Sequence, residues 1–219
     1  MARAKIKRGS TSVDMTPMCD VAFLLLTFFI LVGKFKSEEA VEVTPPSSVS
    51  NKTIAQKDFF NVTFDKEGTV FLDMDPDMRK NVLEELGKER NINFTPEVVA
   101  EFANAPFVAV PISQLPQFLK LTPEQVKHTK LPGVPADSSN NELQAWISAA
   151  KATMLGSKLI YTIKGDEGAK YTAFRDVVDA FKKNDEFKYN LVTSQTDVPP
   201  GSELYEKNIR EQQGEPVKK

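Results

Sequence analysis

The chain has 219 residues, a formal net charge of -2 and 41% hydrophobic residues. This length accommodates one ordinary domain with extensions, and the apolar content is sufficient for a packed core. The slightly acidic balance argues against nucleic acid as a general partner. A single cysteine, Cys19, excludes an intramolecular disulfide, so a domain outside the cytoplasm would have to be stable without one.

The first predicted element is a helix that contains an apolar run over 21–32, in which Thr27 is the only polar residue. Thr16 is a suitable N-cap and Pro17 a favourable first residue, so the helix is predicted over 17–35. This helix would be about 28 Å long at about 1.5 Å per residue, which matches a hydrocarbon core of about 30 Å. We therefore interpret it as a single membrane span.

Two other interpretations of the apolar run stay open. Its short length and basic start are typical of a signal peptide, which would give an exported protein released by cleavage. However, Lys34 and Lys36 follow where small residues would be needed for cleavage. A buried core helix is the second alternative, but no polar face accompanies the apolar one.

The charges around the run predict its orientation. Four basic residues precede it, whereas acidic residues soon follow it: Arg3, Lys5, Lys7 and Arg8 before, and Glu38, Glu39 and Glu42 after. Basic residues favour the cytoplasmic side of a membrane. The arm over 1–16 is therefore predicted to be cytoplasmic, and the long carboxyl-terminal part exported.

One face of the predicted helix is polar. Asp20, Thr27 and Lys34 follow one another at intervals of seven residues, which is nearly two full turns, so they share a face. A carboxylate within a membrane span is costly unless it is paired or protonated, and it is a functional-site hypothesis by default. The alternatives are that Asp20 is hydrated at the membrane surface or merely pairs with a neighbouring helix.

The remainder of the chain predicts an α+β fold, with a small mixed β-sheet packed with helices. Composition predicts an exported linker over 36–57, a domain over 58–196 with an insert at about 90–145, and a disordered tail over 197–219. The domain is predicted to begin with a hairpin over 58–73, with Gly68 in its turn, and a helix over 76–90 capped by Asp75. Two short helices starting at Thr95-Pro96 and Thr122-Pro123 follow, and then a helix from about Asn141. The domain is predicted to end with a strand in SKLIYTI, an amphipathic helix and a strand in KYNLVTS; one face of that helix carries Tyr171, Phe174, Val177, Val178 and Phe181.

Motifs for catalysis, cofactors or metals are not apparent in the sequence. The sequence KGDEG around Gly165 and Gly168 predicts a turn between strand and helix, because it lacks the spacing of a phosphate-binding loop. Trp146 is interpreted as a core residue rather than part of a partner site. We therefore expect neither an enzyme nor a resident cofactor or metal.

The stretch VDMTPMCDVAFLLLTFFIL resembles the start of the ExbD/TolR family of bacterial inner-membrane motor subunits, whose membrane helix opens with a T-P-x-x-D motif. Here the motif is Thr16, Pro17, Met18, Cys19 and Asp20. VEVTPP over 41–46 resembles the family's short extended segment, and 157–195 resembles its strand, helix and strand ending. The insert at about 90–145 has no counterpart in this resemblance.

The resemblance implies that Asp20 carries protons and that the chain energises TonB-dependent outer-membrane transport. It implies a homodimer inside a pentameric ExbB- or TolQ-like multi-span protein, together with a TonB-like energy transducer. The residues do not separate an ExbD-like from a TolR-like system. The alternative function is a single-span anchor that holds a periplasmic binding domain without proton transport.

Overall fold

The computed structural model describes residues 15–32, 41–50, 57–137, 140–154, 158–202 and 205. The chain divides into two units, Met1–Glu38 and Glu39–Lys219. In the first unit, helix α1 runs over Thr16–Val32 and agrees with the predicted helix start to within one residue. Residues 33–35 of the predicted helix and 1–14 of the predicted arm lie outside the described residues. Over the described ranges, none of the helices combines the length and the apolar character that a membrane crossing requires.

The second unit contains a small mixed sheet. Strands β2, Phe59–Phe64, and β3, Val70–Met74, form the predicted antiparallel hairpin. Strands β4, Ile160–Gly165, and β5, Tyr189–Leu191, continue the sheet in parallel, giving the order β3-β2-β4-β5. A separate two-stranded sheet joins β1, Ser47–Ser48, to β6, Ser194–Gln195. The α+β class with a small mixed sheet is thus confirmed.

Local capping chemistry fixes the starts of the helices. Asp75, Thr95 and Thr122 each cap a helix whose first residue is proline, and Asn141 caps the fourth. Thr122 and Gln125 form a reciprocal capping box. The helices are α2, Pro76–Arg90; α3, Pro96–Asn104; α4, Leu115–Phe118, which follows a single 3₁₀ turn at Ile112–Gln114; α5, Pro123–His128; α6, Glu142–Thr153; and α7, Tyr171–Lys183.

The core lies between the sheet and helices α2, α6 and α7. Tyr161 of β4 packs edge to face against Phe181 of α7, with ring centroids 5.3 Å apart. Trp146 of α6 is fully buried, which confirms its interpretation as a core residue. The predicted apolar face of α7 is buried at Val177, Val178 and Phe181. Tyr171, at the first position of α7, is 74% exposed, so it does not join that face.

The insert at 90–145 is part of this core and also covers one edge of the sheet. Phe102 of α3 stacks on Trp146 with ring centroids 5.8 Å apart. At the edge, Leu72 and Val108 exchange two backbone hydrogen bonds of 2.9 and 2.7 Å, and Val134 N–H donates to the Val70 carbonyl at 2.8 Å. The insert therefore satisfies backbone groups of β3 that would otherwise need water.

Gly133 allows the insert to approach β3 so closely. Its φ is +78°, and a Cβ at this position would lie 2.4 Å from Thr69 Cγ2 and 2.9 Å from the Val70 carbonyl oxygen. Both the backbone conformation and the available space thus favour glycine. Its N–H donates to the Ala109 carbonyl at 2.8 Å, which joins the two segments of the insert that reach β3.

Arg79 links the insert to the start of α2. Its Nε donates to the Met74 carbonyl at 3.1 Å, and its Nη2 lies 3.4 Å from Asp73 Oδ1 and 3.3 Å from the Pro106 carbonyl oxygen. Burial raises the pKa of Asp73 from 3.8 to about 6, although the Arg79 guanidinium acts in the opposite direction. The same carboxyl is thus partly desolvated and paired with a cation.

Substitution of Asp73 by asparagine is expected to change how stability depends on pH. The folded-state pKa of about 6 lies above the ordinary 3.8, so the folded chain binds more protons between these values. The carboxyl's contribution to the free energy of unfolding therefore falls as pH rises through this window. Urea denaturation should give a larger wild-type advantage over Asp73→Asn at about pH 4 than at about pH 7.

Arg79→Gln is the companion variant. It should move the fall in stability to higher pH, because it removes the cation that lowers the pKa of Asp73. An equal difference between wild type and Asp73→Asn at both pH values would contradict the assignment to Asp73.

Residues 41–50, which we call the strap, lie on the second unit, whereas the sequence predicts a linker over 36–57. Val41 packs against the core, and β1 within the strap pairs with β6. The strap thus differs from the prediction because its partners lie far along the chain and leave no local pattern. Residues 36–40 and 51–56 lie outside the described residues, as does the predicted tail beyond 202 except Tyr205.

Candidate functional site

Asp20 lies in the second turn of α1, one turn from the helix start at Thr16. The Cys19 N–H already donates to the Met15 carbonyl at 3.0 Å, so the backbone is helical where Asp20 begins. Pro17 in the first turn removes no intrahelical hydrogen bond. The local sequence therefore fixes the depth of the carboxylate within the helix.

Thr27 lies on the same face of α1 as Asp20, nearly two turns further along. Its hydroxyl donates to the carbonyl oxygens of Phe23 and Leu24, at 3.0 Å in each case. The single hydroxyl hydrogen is thus used within the helix, and the Thr27 oxygen remains available as a hydrogen-bond acceptor. Lys34, the third predicted member of this face, lies outside the described residues.

The rest of the α1 surface is apolar and uncovered. None of its residues is buried by the described part of the chain, and the Asp20 side chain is exposed as well. Each exposed large apolar side chain would gain roughly 1.5–3 kcal/mol on full burial. Burial of this apolar surface therefore requires contacts that the described residues do not provide. The large apolar residues of α1 that are at least half exposed are Met18, Val21, Phe23, Leu24, Leu25, Leu26, Phe28, Phe29, Ile30, Leu31 and Val32.

A second carboxylate, Asp166, fastens the strap to the domain. Its Oδ2 accepts the Thr44 N–H at 3.0 Å and its Oδ1 accepts the Gly168 N–H at 2.8 Å. The Glu167 N–H donates to the Thr44 carbonyl at 2.8 Å. We call the hydrogen bonds that Thr44 makes with Asp166 and Glu167 the clasp. These backbone donors lower the pKa of Asp166, with Thr44 contributing most.

Sequence reasoning placed Asp166 in a simple turn and missed the clasp. The turn prediction for KGDEG is consistent with the structure, because Asp166 and Gly168 do form a local turn. The partner Thr44 is 122 residues away in the chain, and no periodic pattern connects the two. The only signal was indirect: an extended, proline-containing segment whose backbone N–H and carbonyl groups needed partners.

The described residues hold no group of three or more His, Cys, Asp or Glu side chains placed to bind a metal ion. The two features that stand out are therefore an uncovered apolar helix with one carboxylate, and a separate α+β domain fastened to its own amino-terminal strap. This combination is typical of a protein that joins a hydrophobic environment to a folded domain.

Comparison with known proteins identifies the family. The family model described as biopolymer transport protein ExbD/TolR matches residues 7–196, which include Asp20, the strap and the whole sheet. The chain belongs to the ExbD/TolR family. Membership indicates a component of a biopolymer transport system, in a family typically associated with the bacterial inner membrane and with membrane-associated motor partners.

Among curated proteins, the biopolymer transport protein exbD2 of Vibrio cholerae is 35% identical over 48 residues. The matched stretch is 22% of this chain and 36% of that relative, so it spans about a third of the relative's length. Solved structures gave no match. The family assignment thus rests on the match over 7–196.

Proposed function

We propose that this chain is the single-span subunit of an inner-membrane motor driven by the proton-motive force, with Asp20 carrying the protons. The observation that carries the proposal is one carboxylate in an otherwise apolar, uncovered helix, on the face it shares with Thr27. Membership in the ExbD/TolR family supports it. In this proposal the predicted span over 17–35 is the membrane helix, and the sequence spacing assigns Lys34 to its polar face.

The cost of an ionised carboxylate in the membrane and the energy that one proton supplies are of similar size. An ionised carboxylate within a membrane helix costs a few kcal/mol when it is unpaired, and protonation removes that cost. A proton-motive force of roughly 150 mV supplies about 3.5 kcal/mol per proton. Protonation and deprotonation therefore switch Asp20 between a wet, charged position and a dry, neutral one, and this bias moves α1 against its neighbours.

The proposed topology places residues 1–16 in the cytoplasm and the domain in the periplasm. Its support is the basic arm, with four lysines and arginines ahead of the apolar run.

A single span with one carboxylate forms no closed proton path, so the motor requires other membrane helices. We propose a multi-span ExbB- or TolQ-like protein, a pentamer around two copies of this chain, with a TonB-like protein receiving the movement and energising outer-membrane transport. The exposed apolar surface of α1 is the surface that these helices would cover.

The second candidate is a single-span anchor that holds a periplasmic binding domain without proton transport. The observation that favours it is the position of Asp20 only one turn from the helix start, where the carboxylate can be hydrated at the membrane surface. Assembly is common to both candidates, whereas only the motor needs a side chain at position 20 that titrates.

Co-purification tests the proposed assembly. An affinity-tagged full chain, extracted in mild detergent, should retain a multi-span protein at a fixed ratio, identified by mass spectrometry. A tagged chain lacking residues 1–40 is the control and should lose this partner, because it lacks the helix that the partner covers. Recovery of the full chain alone, or equal retention by the shortened chain, would contradict the motor assembly.

A further inference from the structure

Residues 105–108, which we call the cover, lie against the edge of β3. The segment follows helix α3 and precedes Ala109, whose carbonyl accepts the Gly133 N–H at 2.8 Å. Leu72 of β3 and Val108 exchange backbone hydrogen bonds of 2.9 and 2.7 Å, in a bridge of a single residue pair. The cover is thus a short segment that the insert anchors at both ends and that one bridge joins to β3.

The register of this bridge brings an aromatic side chain to Asp73. Because the bridge is antiparallel, Asp73, the residue after Leu72, lies opposite Phe107 and on the same face. Phe107 is 7% exposed and packs on Phe118, with ring centroids 6.1 Å apart. On the side of the cover, the Asp73 carboxylate therefore faces an apolar ring, which cannot replace the hydrogen bonds of water.

Arg79 of α2 links the same carboxylate to the cover. Its Nη2 lies 3.4 Å from Asp73 Oδ1 and 3.3 Å from the Pro106 carbonyl oxygen. The Arg79 side chain is 11% exposed, so water competes little for these contacts. The Asp73 carboxylate and the cover are thus connected through one largely buried guanidinium.

Among the described residues, two charged side chains act on Asp73. Arg79 is a cation that favours the ionised form of Asp73, whereas Asp75 is an anion that opposes its ionisation. Asn61, opposite Asp73 on β2, is neutral, and so are the four residues of the cover. Loss of the Asp73 proton therefore places a negative charge beside an apolar ring, with one cation to compensate it.

We propose that the cover opens locally from β3 as Asp73 loses its proton, and closes as Asp73 regains it. Opening moves Phe107 away and admits water to the carboxylate, which favours the ionised form. Burial in the closed form raises the pKa of Asp73 from 3.8 to about 6. The hydrated carboxyl of the open form titrates nearer 3.8, so the open form binds fewer protons between these values. Its population therefore increases as pH rises through this window.

Access to the β3 edge then follows pH. The Leu72 N–H and carbonyl are bonded to Val108 when the cover is closed, and opening releases both. The edge is thus covered in acid and becomes more accessible toward neutral pH. Local openings of this kind occur below the free energy of global unfolding, and the bond between Ala109 and Gly133 is kept in this one. The inference concerns the second unit alone, so it does not rest on the proposed function.

Hydrogen–deuterium exchange on the full chain in mild detergent tests the cover, with the Leu72 and Val108 amides followed at about pH 4 and about pH 7. Dividing the wild-type exchange rate by the rate of Asp73→Asn at the same pH removes the intrinsic pH dependence of exchange. This ratio should rise about tenfold from the lower to the higher pH, because the asparagine variant has no proton to lose. The rise is smaller than a pKa change from 3.8 to about 6 allows, since 35% of the Asp73 side chain is exposed to water.

Amides of the central strands separate local from global opening. Val62 of β2 and Ile163 of β4 lie inside the sheet, so their exchange reports opening of the whole domain. In the wild-type chain, the Leu72 and Val108 amides should exchange at least about tenfold faster than these two.

Two variants complete the experiment. Asp65→Asn is the matched control, because Asp65 accepts the Thr69 N–H at 2.7 Å in the hairpin turn and has no bond to the cover. Its exchange at Val108, relative to wild type, should be the same at both pH values. Arg79→Gln removes the cation that lowers the pKa of Asp73, so the rise in exchange should extend to a higher pH than in the wild type.

Four results would overturn the proposal. Two concern the ratio of wild type to Asp73→Asn: an equal value at both pH values, or a value that falls toward neutral pH. The third is exchange at Leu72 and Val108 that is no faster than in the central strands. The fourth is a rise in Arg79→Gln that ends at the same pH as in the wild type.

Discussion

Replacing Asp20 by asparagine is expected to abolish energised transport while the membrane complex still assembles. Asparagine keeps the size and hydrogen-bonding capacity of aspartate but neither binds nor releases a proton in the relevant pH range. Growth on a substrate that requires energised uptake should fall to the level of a strain lacking the chain. Pull-down of the multi-span partner should be unchanged, which separates loss of proton transfer from loss of assembly.

Two neighbouring substitutions sharpen the result. Asp20→Glu keeps the ionisable group but moves it by about 1 Å, a displacement that is costly in a tightly arranged site, so activity should be intermediate or absent. Thr27→Val should be milder, because the Thr27 hydroxyl already bonds the backbone of its own helix. Normal uptake in the Asp20→Asn strain would contradict the proton-carrying role of Asp20 and favour the single-span anchor.

The largest effect on stability is expected from Phe102→Ala. Phe102 is 1% exposed and stacks on Trp146, so its removal leaves a cavity between the insert and α6. Truncation of a buried phenylalanine costs about 3–5 kcal/mol. Trp146 is the only tryptophan of the chain. Its fluorescence during urea denaturation should therefore follow the whole domain in a single transition at a lower midpoint.

Tyr171→Ala is the matched control for this variant. Tyr171 is also aromatic and helical but 74% exposed, so the free energy of unfolding should change by less than about 0.5 kcal/mol. An unchanged midpoint for Phe102→Ala, or a separate early transition of the insert, would contradict a shared core. Either result would make the insert an appended module rather than part of the domain.

The elements that the sequence predicts best are those specified by local chemistry. Caps followed by proline gave the starts of α2, α3 and α5, and alternating residues around Asp65 and Gly68 gave the hairpin. The apolar residues of α2 recur at helical spacing and form its buried face, at Met78, Val82, Leu83 and Leu86. These features depend on residues within a turn or two of one another, so a single sequence contains them.

The features that the sequence does not predict depend on distant partners. The bridge between Leu72 and Val108 and the clasp between Thr44 and Asp166 join segments that share no periodic pattern. The raised pKa of Asp73 arises from burial by the folded chain, which no local motif encodes. The role of Asp20 stays a prediction, since in the proposed assembly it depends on helices of another protein.

The covered edge of β3 has a consequence for how copies of this domain associate. Exposed strand edges recruit further strands, and a sheet with two open edges can grow without limit into fibres. Here Val108 and Val134 already occupy the β3 side. Within the described main sheet, the β5 edge is then the one left to pair with another molecule, so growth of this sheet by strand addition would end at two copies. The insert thereby limits aggregation of the domain through its β3 edge.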